Sequence, residues 1–187
     1  MKQTFLAVSK SLSQPSHKNI VLTGFMAVGK SVVGQSLAAG LKRSFVDLDE
    51  AIEGREGMKV REIFAAKGEP YFRKIEKELL RETLSGDGKV IATGGGTITD
   101  QENLRLLKET SVLIFLTARP ETILTRATAG GNKRPLLQGN DKLEKIKELL
   151  ARREQAYSQA HFSIDTDGRS VNEVVQEIIQ VIGKVEE

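Results

Sequence analysis

Cysteine is absent from this 187-residue chain, so neither a disulfide framework nor a thiolate metal site is available to it. Tryptophan is absent as well and aromatic residues make up only 5%, which leaves no evident stacking platform for nucleic-acid bases. No apolar run approaches the ~18 residues of a membrane span. The stretch Phe5-Leu6-Ala7-Val8 is far shorter than a secretory apolar region of about 7–15 residues. A cytoplasmic location, with no membrane and no nucleic acid as partner, is the expectation. Acidic residues are missing from the first 46 positions, which hold six Lys/Arg; the remainder carries −3, for a total of +3. A basic end of this kind suits a polyanionic nucleotide, whereas a nucleic-acid binder would need a broader basic face. Residues 1–17 read as a disordered tail and 18–187 as one domain, because 39% hydrophobic content suffices for a single core at this length. No apolar stripe asks for a partner, so a monomer is expected.

What is present begins with Gly24-Phe25-Met26-Ala27-Val28-Gly29-Lys30-Ser31, which fits the phosphate-binding pattern G-x-x-x-x-G-K-[ST]. Asn19 to Thr23 before it suits a buried parallel strand, and Lys30 to Leu41 after it reads as a helix. Small residues let backbone N–H groups converge on phosphates, and the helix N-terminus adds partial positive charge. Nucleotide contacts are therefore expected from Gly24, Ala27, Val28, Gly29, Lys30, Ser31 and Val32, with Lys30 on the β/γ-phosphates and Ser31 on Mg²⁺.

Further β-rich runs, Ser44–Asp47, Val90–Thr93, Val112–Leu116 and Phe162–Asp165, alternate with helical patterns at Lys59–Ala66, Pro70–Leu84, Gln101–Lys108, Glu121–Ala127, Lys142–Gln159 and Val171–Ile182. That rhythm predicts an α/β fold, a three-layer sandwich with a five-stranded parallel sheet flanked by helices, and with the phosphate loop ahead of it the chain resembles P-loop NTPases of the nucleoside monophosphate kinase-like kind. Two stretches interrupt it. Residues 49–84 insert two helices where one crossover would do, and 129–141 form a loop of Gly, Asn, Lys, Arg and Pro. Ligands bind beyond the C-terminal ends of strands in open α/β sheets, so the first is expected to be a substrate-binding insert and the second a lid.

Phosphate-loop enzymes commonly set an Asp at a strand end to help hold Mg²⁺. The third and fourth strands offer none, which leaves Asp47 and Asp49. If the segment is extended, i and i+2 face the same way and both carboxylates point into the cleft; Asp47 then serves the metal and Asp49 the acceptor hydroxyl. The alternative is that Asp47 caps the next helix. Thr93-Gly94-Gly95-Gly96 permits backbone to approach a small ligand, although a Gly run also makes a plain turn.

At this point the chain resembles the shikimate kinases. The resemblance runs from about Lys18 to Ile182 and rests on five linked motifs: the phosphate loop opening with Gly24-Phe25-Met26; Phe45-Val46-Asp47-Leu48-Asp49 followed by Ile52-Glu53; Gly68-Glu69 with Phe72-Arg73 and Glu76; Thr93-Gly94-Gly95-Gly96; and Arg134-Pro135-Leu136-Leu137. Such enzymes phosphorylate the 3-hydroxyl of shikimate with MgATP in the route to chorismate and the aromatic amino acids. The resemblance implies that Asp49 binds ring hydroxyls and assists the attacking oxygen, that Asp47 acts through the metal, and that Arg73 and Arg153 hold the carboxylate. It further implies that Gly94, Gly95 and Gly96 line the ring, that Thr93 touches the metal's water shell, that Arg134 closes over the transferring phosphate and that Arg126 lies under adenine. The catalytic set is thus Lys30, Asp49 and Arg134. Family loops commonly carry Gly where Ala27 stands, so Ala27 is expected to be strained if its φ is positive, by about 1 kcal/mol.

The chemistry asks for the same groups: an Arg fork for a carboxylate, a carboxylate for hydroxyls, and a cation for transferring phosphoryl charge. Rival readings differ in what they lack. A switch GTPase needs N-K-x-D, and Asn132-Lys133-Arg134-Pro135 has Pro135 where the Asp belongs. A gluconate or nucleoside monophosphate kinase shares the loop but not the Gly triplet with Arg73. A non-catalytic nucleotide-binding relative would have lost Lys30, Asp47 or Asp49, and all three are present.

Overall fold

The computed structural model describes residues 18–129 and 141–184. The N-terminal tail and almost all of the expected lid, Arg134 included, lie outside the described residues.

β1 (Asn19–Thr23) is buried along its whole length, as a central strand covered on both faces must be. Ile20 and Leu22 enter one apolar cluster and Val21 the other, the period-2 alternation of a pleated strand. β3 (Lys89–Ala92) and β4 (Ser111–Thr117) flank β1, β2 (Ser44–Asp47) lies outside β3, and β5 (Phe162–Asp165) lies outside β4. All four pairings are parallel, in the order β2-β3-β1-β4-β5. Because the chain leaves β1 toward β2 and β3 and then crosses to β4, the order reverses at β1. A crevice opens at that strand's C-terminal end.

Seven α-helices among the described residues cover the sheet. α1 (Lys30–Leu41), α5 (Pro120–Ala129) and α7 (Val171–Gly183) pack on the face carrying Ile20 and Leu22. α2 (Leu48–Glu56), α3 (Val60–Leu84) and α4 (Gln101–Thr110) pack on the face carrying Val21. α6 (Lys142–Tyr157) serves both, giving Ile146 to the first cluster and Ala156 and Tyr157 to the second.

One local expectation needs correction. The segment after β2 is not extended: α2 starts at Leu48, so Asp47 is its N-cap and Asp49 stands in its first turn. Polar, weakly periodic Leu48–Glu56 gave little helical signal, and the capping geometry of Asp47 is what starts the helix. The two helices expected at 59–66 and 70–84 are present: α3 is two helical segments meeting at Gly68, whose φ of 79° and ψ of 169° are non-helical. Pro70 just beyond supplies a fixed φ for the second segment.

The contact between α1 and β2 sets the position of Asp47. Phe45 packs against the α1-side cluster while Val46 packs on the opposite one, so Asp47, two residues on, shares the α1 face. A Cβ added to Gly34 of α1 would lie 2.4 Å from Phe45 Cε2, closer than side chains approach. Gly34→Ala is therefore expected to cost about 1–3 kcal/mol by overpacking, read as a fall in Tm of about 2–4 °C per kcal/mol for a domain of this size. An unchanged Tm would show that Phe45 does not hold β2 against α1.

Candidate active site

The loop between β1 and α1 is built from positive-φ backbone: Gly24 at 143°, Ala27 at 62° and Gly29 at 101°. Ala27 thus occupies the left-handed region, and the strain expected of it follows from its Cβ. Gly29 is the N-cap of α1, with no side-chain cap and no acidic residue in the first turn. Its N–H groups are left to an anion, which the helix dipole favours. Lys30 Nζ donates to the carbonyl oxygens of Gly24 and Phe25, each at 2.9 Å, so the ammonium curls over its own loop. Val28 is buried and is not among the residues lining the cleft. Val32 is exposed and lines the cleft.

That cleft, about 480 Å³, is bounded by Ala27, Gly29, Lys30, Ser31, Val32, Asp47, Asp49, Thr93, Gly95 and Arg126 among others. Ser31 donates its hydroxyl to Asp47 Oδ2 at 2.6 Å, while Asp47 Oδ1 accepts from the backbone N–H groups of Asp49 and Glu50. One carboxylate thereby caps α2 and reaches the N-terminus of α1. Asp49 is half-buried at the cleft wall. Burial above all, then the neighbouring Asp47 carboxylate, pushes its pKa up to about 6, against the pull of Lys30; Glu76 and Glu53 add smaller upward pressure. Asp49 and Lys30 thus sense each other within the cleft.

The Gly triplet after β3 is the floor of the other half. A Cβ on Gly94 would meet Glu76 Oε1 at 3.0 Å, Asp49 Oδ1 at 3.1 Å and Thr97 Oγ1 at 3.3 Å. One on Gly95 would meet the carbonyl oxygen of Gly24 at 3.0 Å, and one on Gly96 the Arg73 Nη2 at 2.8 Å. Side chains are excluded there because carboxylates, a guanidinium and the phosphate loop crowd the backbone from above. Arg73 Nη1 donates to Glu76 Oε2 at 2.8 Å, and its Nε and Nη2 reach Glu69 at 3.2 Å. Burial opposes the Arg73 charge, but Glu76 and Glu69 outweigh it and its pKa rises. The pair at i, i+3 is no solvated helix ornament, since Glu76 is only 1% exposed.

Arg153 Nη1 and the Tyr157 hydroxyl both donate to the Gly95 carbonyl, at 3.1 and 2.7 Å, and the Arg153 guanidinium lies over the Phe25 ring. Four residues apart, they share one face of α6; Arg152, next door, faces solvent near Glu148. Arg126 sits at the far wall, its guanidinium donating to Thr166 Oγ1 and to the Thr166 carbonyl at 2.9 and 2.7 Å. A larger cleft, about 560 Å³, lies beneath α6 against Phe115, Tyr157 and Ser163. None of the residues lining it is cationic, so the phosphate chemistry belongs to the other.

Sequence patterns carry Glu76 in a motif and Tyr157 as the spacing that picks Arg153 over Arg152, in neither case with a role of its own, and they leave Thr97 unmarked. The spacing of Arg73 to Glu76 and of Arg153 to Tyr157 was the available signal for two of them. Nothing local marked Thr97.

The shikimate kinase family model matches residues 26–183. A shikimate kinase of Thermus thermophilus is 46% identical over 161 residues, covering 86% of this chain and 88% of that one. The chain belongs to the shikimate kinase family. A shikimate kinase of Persephonella marina is 44% identical over 162 residues, covering 87% of this chain and 97% of that one. Among solved structures, the shikimate kinase of Acinetobacter baumannii in complex with shikimate superposes with a TM-score of 0.86 at 37% identity, covering 91% of this chain and 95% of that chain. Its fold is that of the shikimate kinases, and its activity is the ATP-dependent phosphorylation of shikimate.

Proposed function

We propose that the chain transfers the γ-phosphoryl group of ATP to the 3-hydroxyl of shikimate in the cytoplasm, giving shikimate 3-phosphate and ADP, and that it does so as a monomer. The observation that carries the residue assignment is the sharing of one cleft. The phosphate loop with Lys30, Asp49 and Gly95 line that cleft together, and Arg73 and Arg153 pack on the adjoining Gly96 and Gly95.

Phosphoryl transfer asks little covalent chemistry of a protein and much positioning. The loop backbone and the uncapped start of α1 receive the phosphates, Lys30 swings from the Gly24 and Phe25 carbonyls onto the β/γ-phosphates, and Arg126 packs under the base. Arg73 and Arg153 grip the acceptor carboxylate by charge-assisted bonds. Asp49 accepts a hydrogen bond from the attacking hydroxyl and takes its proton as the oxygen meets phosphorus. Arg134 is the candidate for the transferring phosphate on the strength of its motif alone.

A divalent cation fits beside this machinery. Ser31 Oγ and Asp47 Oδ2, 2.6 Å apart at the cleft wall, are hard oxygen donors of the type Mg²⁺ prefers, with water and phosphate oxygens completing six positions. Held there, Mg²⁺ would neutralise charge on the transferring phosphates. Thr93, which lines the same cleft, would serve its water shell.

A coupled ADP-release assay with shikimate, gluconate and nucleoside monophosphates as acceptors tests the proposal. Turnover is expected with shikimate and not with the others; absence of ADP release with shikimate would sink it.

A further inference from the structure

We propose that Thr97 is a positioning and specificity-setting residue for the acceptor half of the site, acting through Glu76 on Arg73; the proposal rests on the acceptor site assigned above.

Thr97 opens a short 3₁₀ turn, Thr97–Thr99, directly after the Gly triplet, and it is fully buried. Three bonds fix it. Its N–H donates to the Gly94 carbonyl at 3.2 Å, its carbonyl accepts from Asn103 Nδ2 at 3.1 Å, and its hydroxyl donates to Glu76 Oε1 at 2.7 Å. A hydroxyl this anchored has one orientation to offer, and it spends its single proton on a carboxylate.

The consequence lies in how Glu76 divides its two oxygens. Oε2 takes Arg73 Nη1 and Oε1 takes Thr97. Oε1 is also one of three oxygens gathered round a single point above Gly94, with Asp49 Oδ1 and Thr97 Oγ1. Two of the three belong to carboxylates, and Thr97 supplies a proton to one of them there. Remove it, and Oε1 becomes a buried acceptor without a donor beside a second carboxylate, which is costly. Glu76 can then relieve itself by turning both oxygens to Arg73, because a guanidinium presents a two-pronged edge that carboxylates favour. Arg73 would be drawn into its own helix partner and away from an acceptor carboxylate. Thr97 prevents that turn, keeping Arg73 donors available and the pocket over Gly94 shaped for a hydroxyl.

Thr97→Val keeps the shape and removes the proton. Steady-state kinetics are expected to show the shikimate KM raised about tenfold or more, the loss typical of one hydrogen bond to a charged group. The ATP KM should be unchanged and kcat altered less than about threefold, since uniform acceptor binding is what is lost. Thr97→Ser, which restores the hydroxyl, should return the shikimate KM to within about threefold of wild type. In a Glu76→Gln background, Thr97→Val should add less than about twofold, the non-additivity of residues acting through one network. An unchanged shikimate KM, an equal rise in both KM values, absence of rescue by Ser, or full additivity with Glu76→Gln each overturns the proposal. If Val fails to fold, the Ser variant and Thr97→Ala make the same comparison. Wild-type enzyme run alongside separates the two claims, because failure to phosphorylate shikimate at all would remove the acceptor site rather than the role of Thr97.

Discussion

Asp49→Asn is expected to lower kcat about 10²–10⁴-fold, the range for loss of a positioned general base, while nucleotide affinity stays within about threefold of wild type. The substitution is close to isosteric and removes only the charge and the capacity to take a proton. Asp49 lies in the first turn of α2, beyond the phosphate loop, and the carboxylate bonded to Ser31 is that of Asp47. The nucleotide half is therefore left intact. Its partial burial matters for the size of the effect: a carboxylate whose pKa is lifted by burial to about 6 is a better proton acceptor than a solvated one, and an amide offers nothing in its place. The acceptor KM should rise only a few-fold, because Arg73 and Arg153 carry the ring's carboxylate. Rapid-quench measurement of the chemical step, with direct titration of the nucleotide, separates the two halves. Wild-type turnover would take Asp49 out of the mechanism; loss of nucleotide binding in parallel would show that the residue is structural.

How such a residue is found from sequence shows what a chain discloses and what it does not. The five strands and the phosphate loop were legible because each depends on local chemistry: short β-rich runs for strands covered on both faces, and Gly at fixed spacing for backbone of positive φ. Asp47 and Asp49 were singled out by elimination and both line the one cleft, yet the reason given for their pairing was wrong. They converge through a helix cap and its first turn rather than through an extended strand, because Asp47 serves the cap and the cleft with different oxygens. The two readings set against each other, cap or metal-side carboxylate, are compatible in one side chain. Thr97 was out of reach for a different reason: its role depends on Glu76, 21 positions away, and on Asn103, and a buried hydroxyl has no signature in spacing or charge. Glu76, quoted only as part of a motif, owes its importance to a burial that spacing does not show.

Glycines make the same point with a larger consequence. Gly24 and Gly40 are indistinguishable as letters, but a Cβ on Gly40 meets nothing within 4 Å, whereas one on Gly24 would lie 2.3 Å from the Leu116 carbonyl oxygen. Leu116 belongs to β4, fully buried in the sheet, so the clash falls on backbone that cannot yield. Gly24 also has a φ of 143°, a conformation that costs a side-chain-bearing residue about 1–3 kcal/mol. Adding overpacking of about 1–3 kcal/mol, Gly24→Ala should lose about 2–6 kcal/mol, or a Tm lower by about 5–20 °C at this chain length. Activity should suffer beyond stability. The Gly24 carbonyl accepts from Lys30 and abuts Gly95, so displacing it shifts the phosphate lysine and the acceptor floor together. A misplacement of about 1 Å is enough to cost about 10²-fold in rate, and kcat/KM for both substrates should fall by that order in whatever protein remains folded. Gly40→Ala, in the same helix-and-loop unit, is the control: it should hold activity and gain up to about 1 kcal/mol from helix propensity. Wild-type Tm and kinetics in Gly24→Ala would mean that β1 and β4 part without consequence, and the close seating of the phosphate loop on the sheet would then not be what positions Lys30.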